Sequence, residues 1–474
     1  MAEAAAVATV TGERRRGTEL ALVVFGLVLT LVAYAEVGLA HNSHLPTGLV
    51  TYGIGFGVVF GIAHVAVRRL APYADPVLLP IAVALNGLGL VLIQRLDLAA
   101  DDAAQAAHHA APRGAAPLQL VWTVVGVALF VAVLVVVRDH RRLQNYTYTA
   151  MAVGLVLLAV PAVLPASHSV VNGARIWIRF GSFSFQPGEI AKIALEVFFA
   201  GYLVRHRDLL RLAGRRVGGL DLPRARDLGP VLLAWGASLL LLVRESDLGS
   251  SLLFFGIFIV VLYVATERGS WLLIGLALFV VGAVIAGTAI GHVHDRFTAW
   301  LHPFSDSVYN RKVGSSYQLD QGLFGMATGG IFGTGLGKGR PDIVPFANTD
   351  FIMATVGEEL GLAGVMSILT LYLLFVTRGL RAALGTRDGF GKLLGVGLAF
   401  GFALQVFVQV GGVTRLIPLT GLTLPFLSYG GSSLVTNWVL LALLLRISDA
   451  GRRPPPPREV PVDPRASETV VVRP

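Results

Sequence analysis

One carboxylate, Asp306, stands in the longest polar stretch between apolar segments of this chain. The stretch opens with Ala299-Trp300-Leu301-His302-Pro303-Phe304-Ser305-Asp306, passes through Gly314-Ser315-Ser316-Tyr317-Gln318 and a glycine-rich run, and ends at Asn348-Thr349-Asp350-Phe351. A positioned carboxylate can take a proton from an attacking hydroxyl. Held in a loop over a membrane bundle, it points to chemistry on a lipid-borne substrate at the membrane face. A second constellation follows Phe185-Gln186-Pro187-Gly188: Glu189 and Lys192 stand at i and i+3 on one helix face, with Glu196 a turn further along. Charges at membrane depth are costly unless they pair or face a water-filled cavity. They therefore read as a Glu–Lys pair joining helices or as part of a substrate cavity, and the two readings are compatible. Arg175 and Arg179, just upstream, either anchor at the headgroup level or bind a diphosphate, whose oxygens suit guanidinium forks.

The elements that must position these groups are membrane spans. The chain has 474 residues, is 54% hydrophobic and 14% charged, and has a mean hydropathy of +0.70, too apolar for a soluble domain of this size. Apolar runs of about 20 residues, enough to cross the hydrocarbon core, recur near residues 19–40, 47–67, 76–94, 118–137, 146–165, 187–204, 229–244, 248–266, 270–291, 351–377, 390–412 and 424–446. The fold expected is an all-α polytopic membrane protein of about ten to twelve transmembrane helices with a large extracytoplasmic loop. Residues 1–17 form a tail, 18–447 the membrane domain with its loop at 292–349, and the proline-rich 448–474 a disordered tail. The first apolar run lacks a nearby small-residue cleavage site and reads as a retained span. The segment 95–117 is expected to be unstructured at its tip. Glycine ladders at Gly53, Gly57, Gly61 and at Gly391, Gly395 are expected to permit close helix packing.

The formal charge of +9 is topological. Arginines cluster before the first span (Arg14, Arg15, Arg16) and after the second, fourth, sixth, tenth and last, including Arg211 and Arg224. All fall on one side if the N-terminus is cytoplasmic, so both termini are expected there and nucleic acid is not an expected partner. Cysteine is absent, which excludes disulfides, thiolate metal sites and cysteine nucleophiles. No nucleotide-binding domain is recognisable, which argues against an ATP-driven pump. The run Gly329–Arg340 superficially resembles a phosphate loop, but Phe332 replaces the first glycine and Gly339 the magnesium-holding Ser/Thr. A mobile or re-entrant loop is expected there, ahead of diphosphate contact through Lys338. His292, His294 and His302 lack ligand spacing with a carboxylate, so no zinc site is expected. Asp247 is expected to cap the following helix, and Glu358 and Glu359 to bond between helices, with substrate contact second. The Pro/Gly-broken segments Val413–Gly421 and Pro425–Ser433 either line a cavity or pack structurally.

Taken together, these residues resemble the SEDS family (shape, elongation, division and sporulation), the RodA and FtsW peptidoglycan polymerases. The resemblance covers about residues 146–447, through FQPGEIAK, SDLGSS, the WLHPFSD…GSSYQ loop, NTDFIMATVGEELGLAG and RLIPLTGLTLPFLSYGGSS. The extra early spans and the phrase GGVTRLIPLTGL look like the RodA-type members of actinobacteria, with FtsW the nearest paralogue. The resemblance implies an inverting glycosyltransferase that polymerises lipid II at the outer face of the bacterial cytoplasmic membrane, beside a class B penicillin-binding protein. It implies Asp306 as the general base, acting on the 4-hydroxyl of the acceptor. It implies substrate-binding roles for Arg175, Arg179, Gln186, Glu189, Lys192, Tyr317, Gln318, Lys338 and Ser432, with no metal ligand assigned and a divalent cation such as Mg2+ or Mn2+ as an optional helper. Ser307 replaces the family's proline, extra residues around Val308 to Lys312 precede Gly314, Ser316 replaces a second glycine, and Lys338 stands where Asn is common. These departures predict a more mobile loop. A lipid II flippase and a non-enzymatic scaffold are the rival readings; a flippase would depend on Glu189 and Lys192 and little on Asp306.

Overall fold

The computed structural model describes residues 15–110, 114–170, 174–181, 183–207, 215–217, 220–222, 225–245 and 247–454. The outer parts of both expected tails, and Arg14, Arg211 and Arg224, lie outside the described residues. Ten described helices are long and apolar enough to cross a membrane, which makes this a multi-pass membrane protein. They are α1 (Arg16–Asn42), α2 (Leu49–Leu70), α3 (Leu78–Ala106), α4 (Ala116–Val136), α5 (Thr147–Val163, after a 3-10 turn at His140–Tyr146), α9 (Leu248–Thr266), α10 (Ser270–Ala289), α15 (Gly361–Leu384), α16 (Gly389–Val413) and α17 (Gly431–Arg452). Two further helices, α7 (Pro187–Arg205) and α8 (Ala225–Arg244), complete the bundle. The short α6 (Ala166–Ser169) leads into a hairpin of β1 (Ile178–Phe180) and β2 (Phe183–Phe185), and a second hairpin joins β3 (Arg215–Val217) to β4 (Leu220–Leu222).

Burial sorts the helices. The apolar windows of α3 and α17 are 89% buried and that of α16 72%, whereas α10 buries 6% and α15 22%. The central helices carry buried amides: Asn86 on α3, Gln405 and Gln409 on α16, Asn437 on α17. Peripheral α10 is apolar all round, as a lipid-facing helix must be. Aromatic packing knits the centre, with Trp438 stacked on Phe60 (6.0 Å) and edge-on to Phe130 (5.6 Å) and Phe426 (5.5 Å). At the arginine-rich end, buried Arg446 donates to the carbonyls of Leu70 and Leu134, tying α17 to α2 and α4. There Asp75 pairs with Arg452 (2.8 Å) and Arg378 (3.5 Å).

Several expected boundaries move. Helix α3 continues to Ala106 instead of loosening after residue 94, because its alanine-rich end propagates helix readily and Asp97 accepts the N–H groups of Ala115 and Ala116 at 2.9 and 2.7 Å. The span expected from 351 is broken in two: α14 (Ile352–Glu359) stops at Leu360, and Gly361, with φ +66°, restarts the chain as α15. The last span starts at Gly431, not 424, and runs to Arg452, past the expected start of the tail. The outer loop is itself partly helical, with α11 (Gly291–Leu301), the single turn α12 (Asp306–Tyr309) and α13 (Tyr317–Gly329). Of the glycine ladder on α2, Gly53 packs against Leu31 of α1, where a Cβ would sit at 3.3 Å, whereas a Cβ at Gly57 or Gly61 would meet nothing within 4 Å. Gly391 and Gly395 pack closely, facing His140 and Ala383 at 2.4 and 2.7 Å.

Candidate active site

Proline at the first turn of α7 costs no hydrogen bond and starts the helix, which turns Glu189, Lys192 and Glu196 into the bundle. Lys192 Nζ lies 3.1 Å from Glu189 Oε2 and donates to Gln405 Oε1 on α16 at 2.9 Å. Gln405 in turn donates to the Thr423 carbonyl at 2.9 Å. The Gln186 N–H donates to Ser432 Oγ at 2.8 Å, and Thr423 bonds Ser433 at 3.0 Å. Four predicted site residues (Gln186, Glu189, Lys192 and Ser432) thus share one polar cluster walled by the irregular 414–430 segment. Glu196 sits a turn deeper, 3% exposed, with no partner for Oε2. Asp247 caps α9 as expected, accepting the Ser250 N–H at 2.9 Å. Beside it Glu245 is 3% exposed with Oε1 unpartnered. Burial, then the Asp247 charge, pushes the Glu245 carboxyl up to about 8.

The outer segment is clamped to the same wall. Arg296 on α11 donates to the carbonyls of Leu419 (3.1 Å) and Thr420 (2.9 Å). Trp300 Nε1 donates to the Arg415 carbonyl at 3.0 Å, and Arg415 returns bonds to the carbonyls of Trp300 (3.0 Å) and Leu301 (3.2 Å), its guanidinium 5.7 Å from the Phe304 ring. Arg415 holds φ +61°, a left-handed conformation that a non-glycine residue adopts only at a cost. Asp350 is half-buried at the loop's far end, bonded by Thr349 at 3.0 Å, with its carbonyl held by Gln409 at 2.7 Å. Burial pushes the Asp350 carboxyl up, opposed by Thr349 and by Arg296, whose own guanidinium is pushed down by burial.

Asp306 begins α12 with its side chain exposed and, among the described residues, without a hydrogen bond or ion pair on its carboxylate. Its carbonyl accepts from the Asn310 backbone (3.2 Å) and side chain (3.1 Å). The segment expected to be mobile is well bonded: Ser305 to Ser307 at 2.9 Å, Arg311 to the Ser307 carbonyl at 3.2 Å and to Asp295 at 3.4 Å, and Gln321 to Tyr309 at 3.1 Å. Tyr317 lies edge-on to Tyr309 at 5.3 Å, and Gln318 donates to the Pro345 carbonyl at 2.9 Å. Ser316, in the family's glycine position, bonds the Pro303 carbonyl and Asp320, so it fastens the turn that a glycine would free.

The other predicted residues are dispersed. Arg175 bonds Ser169 and the Leu164 carbonyl, both at 3.3 Å, and Arg179 lies on β1 opposite Ser184. Lys338 is exposed on the glycine run. That run is lashed down, not mobile: Thr334 and Gly335 donate to the carbonyls of Glu358 and Glu359, Gly337 and Arg340 donate to the two carboxylates at 2.9 and 2.6 Å, and Arg95 of α3 bridges Glu359 (2.9 Å) and the Gly339 carbonyl (2.8 Å). Glu359 therefore does bond between helices. Sequence reasoning missed Arg95, Arg296 and Arg415 as organising residues; a lone arginine at the end of apolar α3 was the available signal. Among the described residues no three His, Asp or Glu side chains converge as a metal site.

The family model described as "Cell cycle protein", FtsW/RodA/SpoVE, matches residues 76–453. The chain is 50% identical over 440 residues to the peptidoglycan glycosyltransferase RodA of Mycobacterium tuberculosis H37Rv, covering 93% of this chain and 92% of that one. It is 51% identical over 440 residues to the corresponding protein of Mycobacterium leprae. The fold is similar to the crystal structure of a point variant of the Thermus thermophilus rod shape determining protein RodA, with a TM-score of 0.55 and 26% identity over 79% of this chain and 97% of that one. It is also similar to a chain solved in a study of the coordination of polymerization and crosslinking by a peptidoglycan synthase complex (TM-score 0.53, 26% identity, 83% of this chain and 96% of that one). The helical bundle agrees with these matches, and the chain belongs to the FtsW/RodA/SpoVE family.

Proposed function

We propose that this chain is a peptidoglycan glycosyltransferase of the RodA type that polymerises lipid II at the outer face of the cytoplasmic membrane, for elongation and shape. The carrying observation is the unpaired Asp306 carboxylate, held on a segment that Arg296, Trp300 and Arg415 fasten to the wall of the Lys192 cluster. Asp306 takes the proton from the 4-hydroxyl of the acceptor sugar as that oxygen bonds the donor's anomeric carbon. The bond from that carbon to the undecaprenyl diphosphate breaks with inversion, and the leaving diphosphate carries the electron pair. Lys192, Arg175, Arg179 and Lys338 are the candidate cations for that charge. Gln186, Glu189, Tyr317, Gln318 and Ser432 complete the substrate-binding set. Both termini are cytoplasmic, with the membrane domain running from α1 to the end of α17 at Arg452 and 292–349 as its outer loop. A class B penicillin-binding protein crosslinks the strands produced.

The test is polymerisation of fluorescent lipid II by the purified chain with its partner. Asp306→Asn is expected to abolish strand formation while the protein stays folded; normal polymerisation by that variant would refute the assignment. A flippase would instead lose lipid II translocation on Lys192→Met and retain it in Asp306→Asn.

A further inference from the structure

The added hairpin of α1 and α2 lies N-terminal to the residues that the family model matches. Between α2 and α4 it creates an open groove of about 520 Å³, lined by Gly57, Gly61, Ile62, Val65, Arg69 and Val131 among others. The two glycines make the groove deep without serving helix contact, because no atom lies within 4 Å of a Cβ built on either. From Gly57 to Arg69 is twelve residues of helix, a rise of about 18 Å. That is close to half of a ~30 Å hydrocarbon core. The groove is therefore one leaflet deep, which fits an acyl chain and is too short for a whole membrane-spanning helix.

The mouth of the groove is cationic and uncompensated. Arg68 and Arg69 end α2, Arg138 follows α4, and none of the three has a hydrogen bond or ion pair among the described residues. Between them Arg446 is 5% exposed and its Nε has no partner. The neighbouring carboxylates are already engaged, Asp75 with Arg452 and Asp449 with Arg453 at 2.8 Å each. From this combination we infer that the α2–α4 groove binds an anionic phospholipid of the arginine-side leaflet, one acyl chain along Gly57 and Gly61 and the phosphate on Arg69 and its neighbours. The site is remote from the outer-face chemistry and belongs to the added hairpin.

The experiment uses the full chain purified in detergent from vesicles of phosphatidylglycerol and phosphatidylcholine, with retained lipid counted by native mass spectrometry and melting followed on re-addition of each lipid. The wild type is expected to retain phosphatidylglycerol above its bulk share by about fivefold per engaged arginine, from ~1 kcal/mol each, and to melt higher with it than with phosphatidylcholine. Arg69→Glu should erase the preference between headgroups. Gly57→Leu with Gly61→Leu should fill the groove, fold normally and lose the retained lipid. Equal retention of the two lipids by the wild type, or unchanged retention in the filled-groove variant, would overturn the inference. So would photocrosslinking from position 62 that captures a protein helix in place of a lipid.

Discussion

Replacing Arg415 should slow polymerisation without loosening substrate binding. Its guanidinium makes two charge-assisted bonds to the carbonyls of Trp300 and Leu301, at 3.0 and 3.2 Å. Such bonds contribute about 1.5–3 kcal/mol each when well buried. Arg415 is half-buried, so the pair is worth ~2–3 kcal/mol at the lower end of that range. Against this stands the left-handed backbone at φ +61°, which costs a non-glycine residue roughly 1–2 kcal/mol. The clamp outweighs the strain, which is why an arginine occupies a position suited to glycine. Arg415→Ala keeps the strain and loses the clamp, so the segment carrying Asp306 spends less time in its reactive placement. At a tenfold rate change per ~1.4 kcal/mol, kcat should fall by about 10- to 100-fold. The KM for lipid II should hold, because the Lys192 cluster is untouched. Arg415→Gly relieves the strain and preserves the bond from Trp300 to the 415 carbonyl, so its loss should be smaller, and Arg415→Lys should lie between. Steady-state assays with fluorescent lipid II, paired with melting temperatures, separate these outcomes. Wild-type kcat in Arg415→Ala, or a loss confined to KM, would refute the positioning role.

Other expectations follow from buried groups. Lys192→Met strands Glu189 in the bundle and should destabilise the protein by about 3–5 kcal/mol, with much of the loss recovered in Lys192→Met/Glu189→Gln; thermal unfolding of the four proteins in a cycle measures the coupling. Glu245 is held neutral, with its carboxyl raised from 4.5 to about 8. The fold therefore binds a proton that the unfolded chain has released, so this contribution is complete below about 4.5, falls by ~1.4 kcal/mol per pH unit above it and is gone beyond about 8. Glu245→Gln should flatten the pH dependence of melting across that window, and an unchanged slope would exclude the group. At Gly333, φ is +80° and a Cβ would sit 2.2 Å from the Glu359 carbonyl oxygen. Gly333→Ala should therefore lower the melting temperature by more than the few tenths of a kcal/mol of a tolerated surface change, and a neutral result would mean that the crossing of the glycine run over the helix break is looser than described.

Composition and arginine placement were enough to read a polytopic helical bundle, and the ordered motifs were enough to read the family. The paired charges on α7 were legible because a proline-led helix start fixes which residues share a face. The breaks were less legible. Residues 351–377 are apolar enough for one span despite Glu358 and Glu359, and only Gly361 at φ +66° and the glycine run crossing over it reveal two helices. The start of the last span was misplaced because Thr423-Leu424-Pro425-Phe426-Leu427 is as apolar as a helix, yet the Thr423 carbonyl and Leu424 N–H bond the side chains of Gln405 and Ser428, and only one isolated turn closes, onto the Leu424 carbonyl. The clamps through Arg296 and Arg415 were illegible in principle. They join residues more than a hundred positions apart by side-chain-to-carbonyl bonds, and such bonds leave no periodicity.

These long-range bonds explain how an irregular stretch persists within a membrane bundle. Unpaired backbone carbonyls are costly away from water, and residues 414–430 expose several. Five of them are met by a guanidinium, an amide or a phenol from another element: Leu419 and Thr420 by Arg296, Thr423 by Gln405, Pro425 by Tyr372, Ser428 by Gln119. The donors come from the outer loop (Arg296), α16 (Gln405), α15 (Tyr372) and α4 (Gln119), so the segment ties the outer loop to three helices of the bundle. Its sequence can vary little in backbone shape without orphaning one of those donors. The same property makes it a rigid reference for both the Lys192 cluster and the Asp306 turn. A base must hold its distance to a sugar hydroxyl within a few tenths of an ångström to be useful, and an exposed one-turn helix could not do so alone. Fixing that turn to a wall that α4, α15 and α16 bond from within the bundle transfers the bundle's rigidity to the membrane face.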